Sequence, residues 1–232
     1  MSDSVSLAPM SFAQRLINIF VAPSKVFMEL LQRPTWVAPL VALTLFAVLL
    51  NAGVLYTKAG EEALALQIRE NPRAANMPAE AMPRAIAFGK AVGVVAALFA
   101  PTVIALIGSL LVYLLFSIGL GGEASYKQTF SAWSHAGLIG LLGGLVQTGL
   151  FLVKRRFQVY TSFSSLLPFL EEKSFLYKLG QGLDLFWIWH FAVMSIGMGI
   201  LNRMTTRKAA VGIFSAYFGI NLLIALIRWA TG

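Results

Sequence analysis

The chain has 232 residues, of which 58% are hydrophobic and only 12% are charged. Ordinary soluble domains carry about 25% charged residues, so this composition excludes the soluble globular class. Basic residues outnumber acidic ones by 18 to 10. They lie scattered between apolar stretches, a pattern that favours the lipid bilayer over nucleic acid as the partner. The absence of cysteine excludes a disulfide framework, a cysteine-based metal site and a thiol nucleophile.

Residues 1–35 form the predicted N-terminal segment, a tail followed by two short amphipathic helices. Ser11 and Gln14 have the spacing of a capping box, and Pro23 with Ser24 marks the start of the second helix. No compact apolar stretch followed by a small-residue cleavage site is present, so we expect no removable signal peptide. The two helices either lie along the membrane surface or pack on the membrane domain.

Residues 36–232 are predicted to form one membrane domain of five transmembrane helices, which makes the fold class an all-α polytopic membrane protein. The first apolar stretch, Trp36 to Tyr56, contains no charged side chain. At about 1.5 Å of rise per residue it reaches roughly 30 Å, the thickness of a hydrocarbon core. The second, Ala91 to Gly122, is longer than a perpendicular helix needs, so tilt or a bend near Pro101 is expected. The predicted spans cover about residues 36–56, 91–120, 130–153, 183–202 and 209–227.

Two connections between the spans are long. Residues 57–90 read as a solvated helix that becomes irregular at Pro72, Pro78 and Pro83. Residues 157–170 are apolar but too short to cross a bilayer, which predicts an interfacial or re-entrant segment.

An odd number of spans places the two termini on opposite sides of the membrane. With a cytoplasmic N-terminus, seven of the 18 basic residues lie inside and the other eleven outside. The seven are Arg15, Lys25, Arg33, Lys127, Arg203, Arg207 and Lys208. The positive-inside rule therefore favours the opposite orientation, although it weakens for long loops.

Small residues at four-residue spacing recur in the predicted spans and predict close packing of helix backbones. The candidate packing residues are Gly140 and Gly144 in the third span and Ser195 and Gly199 in the fourth. The glycine content of the third span predicts that it is the central helix. Packing within the bundle is one interpretation, and a dimer face or a lipid-binding groove is the other.

Three polar residues, His135, Asp184 and His190, are the candidate functional groups inside the membrane, because burying an ionisable side chain in lipid is costly. Asp184 lies at the start of a span, where it favours the helix N-terminus. His190 has either a structural role, hydrogen-bonded within the bundle, or a role in proton or substrate handling. His135 would have to face it across the bundle to share that role.

Sequence motifs for catalysis, metal binding and cofactor binding are not found, so we expect neither an enzyme nor a cofactor. Glu171 and Glu172 resemble the paired glutamates of CAAX-type intramembrane proteases, but Leu176 stands where that motif needs arginine. No serine lies in a nucleophile elbow, and two distant histidines without cysteines do not form a zinc site.

Three segments carry a resemblance to a known family. They are Pro23-Ser-Lys-Val-Phe to Arg33-Pro-Thr-Trp, Gly121-Gly-Glu-Ala-Ser-Tyr-Lys-Gln, and Leu183-Asp-Leu-Phe-Trp-Ile-Trp. Together they resemble the bacterial branch of the Yip domain family, the Ypt/Rab-interacting membrane proteins, over roughly Ser11 to Trp229. The resemblance implies a five-helix domain in a bacterial cytoplasmic membrane with a cytoplasmic N-terminus. The chain lacks the Asp-Leu-Tyr-Gly-Pro signature of the eukaryotic relatives, so GTPase binding is not carried over.

The leading functional hypothesis is a non-enzymatic membrane protein that organises or remodels the bilayer or scaffolds other membrane proteins, with self-association as an open option. The resemblance to the Yip family implies a trafficking-like role as a further form of this hypothesis. The alternative is a small transporter or channel for ions, lipids or apolar solutes. That alternative predicts one cavity lined by polar side chains, namely His135, Gln147, Asp184, His190 and Asn221.

Overall fold

The computed structural model describes residues 9–74, 77–155, 157, 161–167 and 169–231. The fold is helical, as the sequence predicts. Its helices are α1 (Phe12–Val21), α2 (Pro23–Gln32), α3 (Val37–Leu55), α4 (Lys58–Glu70), α5 (Met82–Tyr113), α6 (Tyr126–Ala136), α7 (Ile139–Lys154), α8 (Phe163–Leu166), α9 (Phe175–Gly182), α10 (Leu185–Leu201) and α11 (Thr206–Ala230). Short 3-10 turns at Pro72–Ala74 and Ala79–Ala81 lie between α4 and α5.

Helices α1 and α2 form a hairpin that packs into the main core. The predicted capping box is confirmed, since the Ser11 hydroxyl accepts from the Gln14 N–H and the Gln14 side chain accepts from the Ser11 N–H. Ile19 and Phe27 are fully buried against the bundle. Gly197 of α10 makes room for Phe27, because a Cβ there would lie 2.8 Å from the Phe27 Cε1 atom. Of the two interpretations of these helices, packing on the bundle is therefore correct for their inner face.

Four helical segments are long and apolar enough to cross a membrane. They are Val37–Leu55, Ala79–Gly119, Tyr126–Lys154 and Thr206–Ala230. The first agrees with the predicted span to within one residue. The second begins about ten residues earlier than predicted, continues through Pro101 as one α-helix, and ends in a π-helical turn at Leu114–Gly119. At 17 residues, α10 falls short of the other four, so the predicted count of five is not established.

The third predicted span consists of two helices. A turn at Gly137 and Leu138 separates α6 from α7. Of an apolar stretch of 18 residues within this segment, 28% is buried, compared with 11% for the corresponding stretches of α3 and of α11. It is thus the most buried of the four long segments. Helix α10 packs against α6, α7, α2 and α11, and α5 packs between α3 and α6.

One end of the bundle brings together two links that are distant in sequence. The Asn202 Oδ1 atom accepts a hydrogen bond of 3.1 Å from the Ala124 N–H, and the Asn202 amide donates to the Met198 carbonyl. At the surface beside them, the Arg203 Nε atom lies 3.2 Å from a Glu123 carboxylate oxygen. The start of α6 and the end of α10 therefore lie at the same end of the bundle.

The other end carries α4, α8 and α9. Lys90 of α5 forms an ion pair of 2.8 Å with Glu61 of α4, which is the solvated helix expected in residues 57–90. Pro83 lies in the first turn of α5 instead of in an irregular segment. The predicted interfacial or re-entrant segment, 157–170, falls partly outside the described residues. Within its described part, α8 packs on α9, and α9 packs on α11.

Candidate functional site

A cavity of about 570 Å³ lies between α3, α5 and α7. Its walls come from apolar side chains such as Leu43 and Phe46, with Pro101 on the α5 side. The polar groups in the wall are the side chains of Asn51, Gln147 and Thr148. We call this the outer cavity. Its volume lies within the range of about 300–1,000 Å³ that is typical of small-molecule sites.

A second cavity of about 260 Å³, the inner cavity, adjoins the outer one and reaches α6 and α10. Both cavities share part of their lining: Leu43, Pro101, Ile104, Gly140, Gly144 and Gln147. Beyond this shared wall, the inner cavity is lined by Trp133, Trp187 and His190 and by the N-cap residue Asp184. The two volumes therefore form one recess that leads from the membrane-facing helices to the buried side chains of α10.

His190 lies at the inner end of this recess among aromatic rings. Its ring centroid is 4.5 Å from that of Trp133, 5.4 Å from that of Trp187 and 5.3 Å from that of Phe191. The buried Nε2 atom of the imidazole has no hydrogen-bond partner in the described part of the chain. A buried polar atom without a partner is uncommon in proteins and marks a place where a ligand or water can bind.

Asp184 caps α10, and both oxygens of its carboxylate accept hydrogen bonds. One oxygen accepts hydrogen bonds from the backbone N–H groups of Phe186 and Trp187, at 2.9 and 3.2 Å. The other oxygen accepts a hydrogen bond from the Thr161 hydroxyl. A carboxylate at the N-cap satisfies free amides and favours the positive end of the helix dipole. Asp184 therefore caps α10 and also lines the inner cavity.

Three of the five polar residues predicted to converge do so: Gln147, Asp184 and His190 line the inner cavity. His135 and Asn221 do not line either cavity. The fully buried His135 donates from Nδ1 to the Ser131 carbonyl at 2.8 Å, one turn back along α6. Asn221 donates to the Tyr217 carbonyl within α11. These two residues therefore do not converge on the recess, although the buried Nε2 atom of His135 also has no hydrogen-bond partner in the described part of the chain.

The two candidate packing glycines of α7 have different surroundings. A Cβ added at Gly144 would lie 3.1 Å from side-chain carbons of Leu50 and Phe46, so Gly144 lies against α3. A Cβ added at Gly140 would meet no heavy atom within 4 Å, and Gly140 lines both cavities.

The two candidates of α10 lie in close contacts. The buried Ser195 hydroxyl donates to the Phe191 carbonyl at 2.7 Å. A Cβ at Gly199 would lie 3.2 Å from the Met204 carbonyl oxygen in the turn to α11. The role of all four residues in helix association stays a prediction.

Sequence reasoning missed Trp133, which also lines the inner cavity. The edge of the Trp133 indole lies directly over Gly108 of α5, in the space that a side chain there would occupy. Trp133 is also the residue whose ring lies closest to His190. A signal existed in the tryptophan pair of α6 and α10, but aromatic residues in spans are usually assigned to the interface.

The recess is lined mostly by apolar side chains, and the polar side chains in its described lining are Asn51, Ser134, Gln147, Thr148, Asp184 and His190. Across the described residues, no three His, Asp or Glu side chains lie close enough together to hold a metal ion.

The helices and their hydropathy define the class of this molecule, an all-helical integral membrane protein. The chain belongs to the Yip1 domain family, whose model matches residues 17–228. That match covers nearly the whole chain and confirms the family indicated by the three sequence segments. Comparison with curated proteins and with solved structures gives no match.

Proposed function

We propose that this chain is a non-enzymatic integral membrane protein that organises or remodels the bilayer through its N-terminal hairpin and its five-helix domain. In this proposal residues 1–35 form an interfacial segment, and residues 36–232 form the membrane domain. The observation that carries the proposal is that the hairpin has apolar side chains both on the face that packs on the bundle and on the face that points away from it.

The inner face of the hairpin is anchored, and its outer face is apolar. Phe27 and Leu30 are buried in the core, whereas Ile17 and Val21 are 62% and 73% exposed. A helix placed in the headgroup region inserts such an outer face by about 5–10 Å and is sensitive to membrane curvature. Because the inner face is fixed to the bundle, the hairpin would wedge one leaflet at a constant depth.

The wedge is tested with the double variant Ile17→Ser/Val21→Ser, reconstituted with wild type in vesicles of phosphatidylethanolamine and phosphatidylglycerol. Fluorescently labelled wild-type protein should concentrate on narrow membrane tubes drawn from these vesicles, and the variant should lose that preference. The matched control is Ile17→Leu/Val21→Leu, which keeps the apolar face. Equal tube enrichment of the serine and leucine variants would refute the wedge.

We further propose that α10 is the fifth span and that the N-terminus is cytoplasmic. The Arg203–Glu123 ion pair supports an α10 that returns across the membrane after α6 and α7 have crossed it. The family resemblance supports the orientation. Because the chain contains no cysteine, single-cysteine variants report topology without background.

Cysteines placed at Glu123 and Arg203 should react with an impermeant maleimide only from the cytoplasmic side. Cysteines at Lys58, Lys154 and Thr231 should react only from the opposite side. Labelling of Thr231 from the same side as Glu123 would contradict a fifth span. The reverse pattern at all five positions would contradict the orientation alone.

A transporter for ions, lipids or apolar solutes is the second candidate function. The observation in its favour is the convergence of Gln147, Asp184 and His190 on the inner cavity. Proteoliposomes should then pass a solute at a rate that falls when Gln147 and His190 are replaced by alanine. Unchanged flux in that double variant would remove the cavity as the pathway.

A further inference from the structure

We propose that the outer and inner cavities form one binding site for a neutral membrane amphiphile that carries a free hydroxyl group, of the diacylglycerol type. The proposal concerns binding and stands whether or not the molecule is moved across the bilayer. Four properties of the recess support it: its walls, its acceptor atom, its charge and its open glycine.

The walls indicate that the ligand arrives from the lipid phase. The outer cavity is bounded by α3, α5 and α7, all of which belong to segments long enough to span the bilayer. Gly140 and Gln147, which line it, are exposed on the surface of the bundle. A molecule dissolved in the bilayer reaches this opening sideways, and an acyl chain matches the apolar lining.

The acceptor is the Nε2 atom of His190. A neutral imidazole carries one N–H donor and one acceptor nitrogen. The buried Nε2 atom has no hydrogen-bond partner among the described residues. With the proton on Nδ1, Nε2 accepts a hydrogen bond from a hydroxyl donor, and this is the tautomer that the proposal requires. The exposed amide of Gln147, in the wall of both cavities, supplies a second polar contact near the same space.

The charge of the recess favours a neutral headgroup over an ionic one. Asp184 is the one formally charged side chain among the described residues that line the inner cavity, and no lysine or arginine lines either cavity. The Asp184 carboxylate already accepts hydrogen bonds from Phe186, Trp187 and Thr161. A cation would compete with these hydrogen bonds for the carboxylate, and an anion would meet no positive charge. A neutral hydroxyl needs neither.

Gly140 provides a way to fill the site without disturbing the fold. It lines both cavities, and a Cβ there would meet nothing within 4 Å. Gly149 lies on the same helix with an equally open position but lines neither cavity. Leucine at residue 140 therefore occupies the recess, whereas leucine at residue 149 adds the same side chain elsewhere.

The test uses the full chain in lipid nanodiscs and a diacylglycerol with a photoreactive diazirine in one acyl chain. Crosslinked residues are mapped by mass spectrometry, and apparent affinity is measured by competition with 1,2-dioleoylglycerol. Crosslinks are expected on α3 and α7 around Leu43, Phe46 and Gln147. The 3-acetylated form of the competitor, which has lost the hydroxyl donor, should compete roughly threefold to tenfold less well, the value of one net hydrogen bond.

Two variants complete the experiment. Gly140→Leu should abolish the crosslinks, while Gly149→Leu should leave them unchanged. His190→Phe, which keeps an aromatic ring, should weaken binding and remove the discrimination between the free and acetylated competitors. Crosslinking of Gly140→Leu at the wild-type level would overturn the site, and equal competition by the two competitors in wild type would overturn hydroxyl recognition. If His190→Phe does not fold, Gly140→Leu and the competitor pair still decide both points.

Discussion

Arg15 and Glu29 hold the N-terminal hairpin closed, with the Arg15 Nη2 atom 2.6 Å from the Glu29 Oε1 atom. The two side chains are 13% and 3% exposed. Arg15 also donates to the Thr35 hydroxyl at 2.5 Å, and Glu29 accepts from the Met10 N–H at 3.2 Å. The pair therefore ties α1, α2 and the segment before α3 into one unit.

Removing one member of this pair should loosen the hairpin. Arg15→Ala leaves Glu29 buried without its partner, and the loss of one partner of a buried ion pair costs about 3–5 kcal/mol. We expect faster amide hydrogen exchange throughout residues 12–32 and a lower free energy of unfolding in detergent. The matched control is Arg203→Ala, since the Arg203–Glu123 pair is 74% and 62% exposed. Its effect should stay below about 1 kcal/mol, and an equal loss in both variants would contradict the locking role.

Gly108 should tolerate no side chain. Its backbone lies against the indole of Trp133, which is only 6% exposed. Gly108→Ala should therefore cost about 1–3 kcal/mol through overpacking and should change the fluorescence of the tryptophans near His190. Gly53→Ala in α3 is the control, because a Cβ there meets nothing within 4 Å. Similar thermal stability of the two variants would refute close packing at Gly108.

Asn202 should be needed to join the two links at its end of the bundle. In Asn202→Leu the Ala124 N–H loses its acceptor, and a buried unsatisfied donor costs about 1–3 kcal/mol. Exchange of the Ala124 amide, followed by mass spectrometry, should accelerate. Asn221→Leu is the control, since Asn221 bonds only to its own helix among the described hydrogen bonds. Protection of Ala124 that survives in Asn202→Leu would argue against the link.

Asp184 should act as a helix cap. Asp184→Ala should lower the free energy of unfolding by about 0.5–2 kcal/mol and expose the Phe186 and Trp187 amides to exchange. Asp184→Asn keeps a side-chain acceptor and should retain most of that stability. Ser174→Ala, which removes the cap of α9, is the control for a purely local effect, since Ser174 accepts from Tyr177. If alanine and asparagine at residue 184 destabilise equally, charge and not capping is the decisive property.

The local features of the fold were predictable from short-range chemistry. The capping box at Ser11 and the first span depend on residues within a few positions of each other, and both are found in the structure. The break at Gly137 was harder to predict, because the apolar stretch continues through it without a proline or a charge. The early start of α5 depends on residues before the apolar stretch, which hydropathy leaves out.

The candidate site was only partly predictable, since it depends on contacts between helices. Gln147, Asp184 and His190 were singled out by polarity alone, and they share a cavity because α7 and α10 pack together. His135 has the same polarity, yet it faces its own helix at Ser131. No periodicity distinguishes these two outcomes.

The sequence by itself determined the class of protein, because the free energy of transferring apolar side chains into lipid depends on composition and length alone. It also determined the family, because three segments of the sequence resemble the family and the family model matches residues 17–228. Only the tertiary structure decided which glycine packs and which opens a cavity, as Gly144 and Gly140 do. It also decided which of the two histidines lies beside that cavity. Those properties arise where several helices meet. The sequence of one helix does not specify which residues of the other helices it will contact.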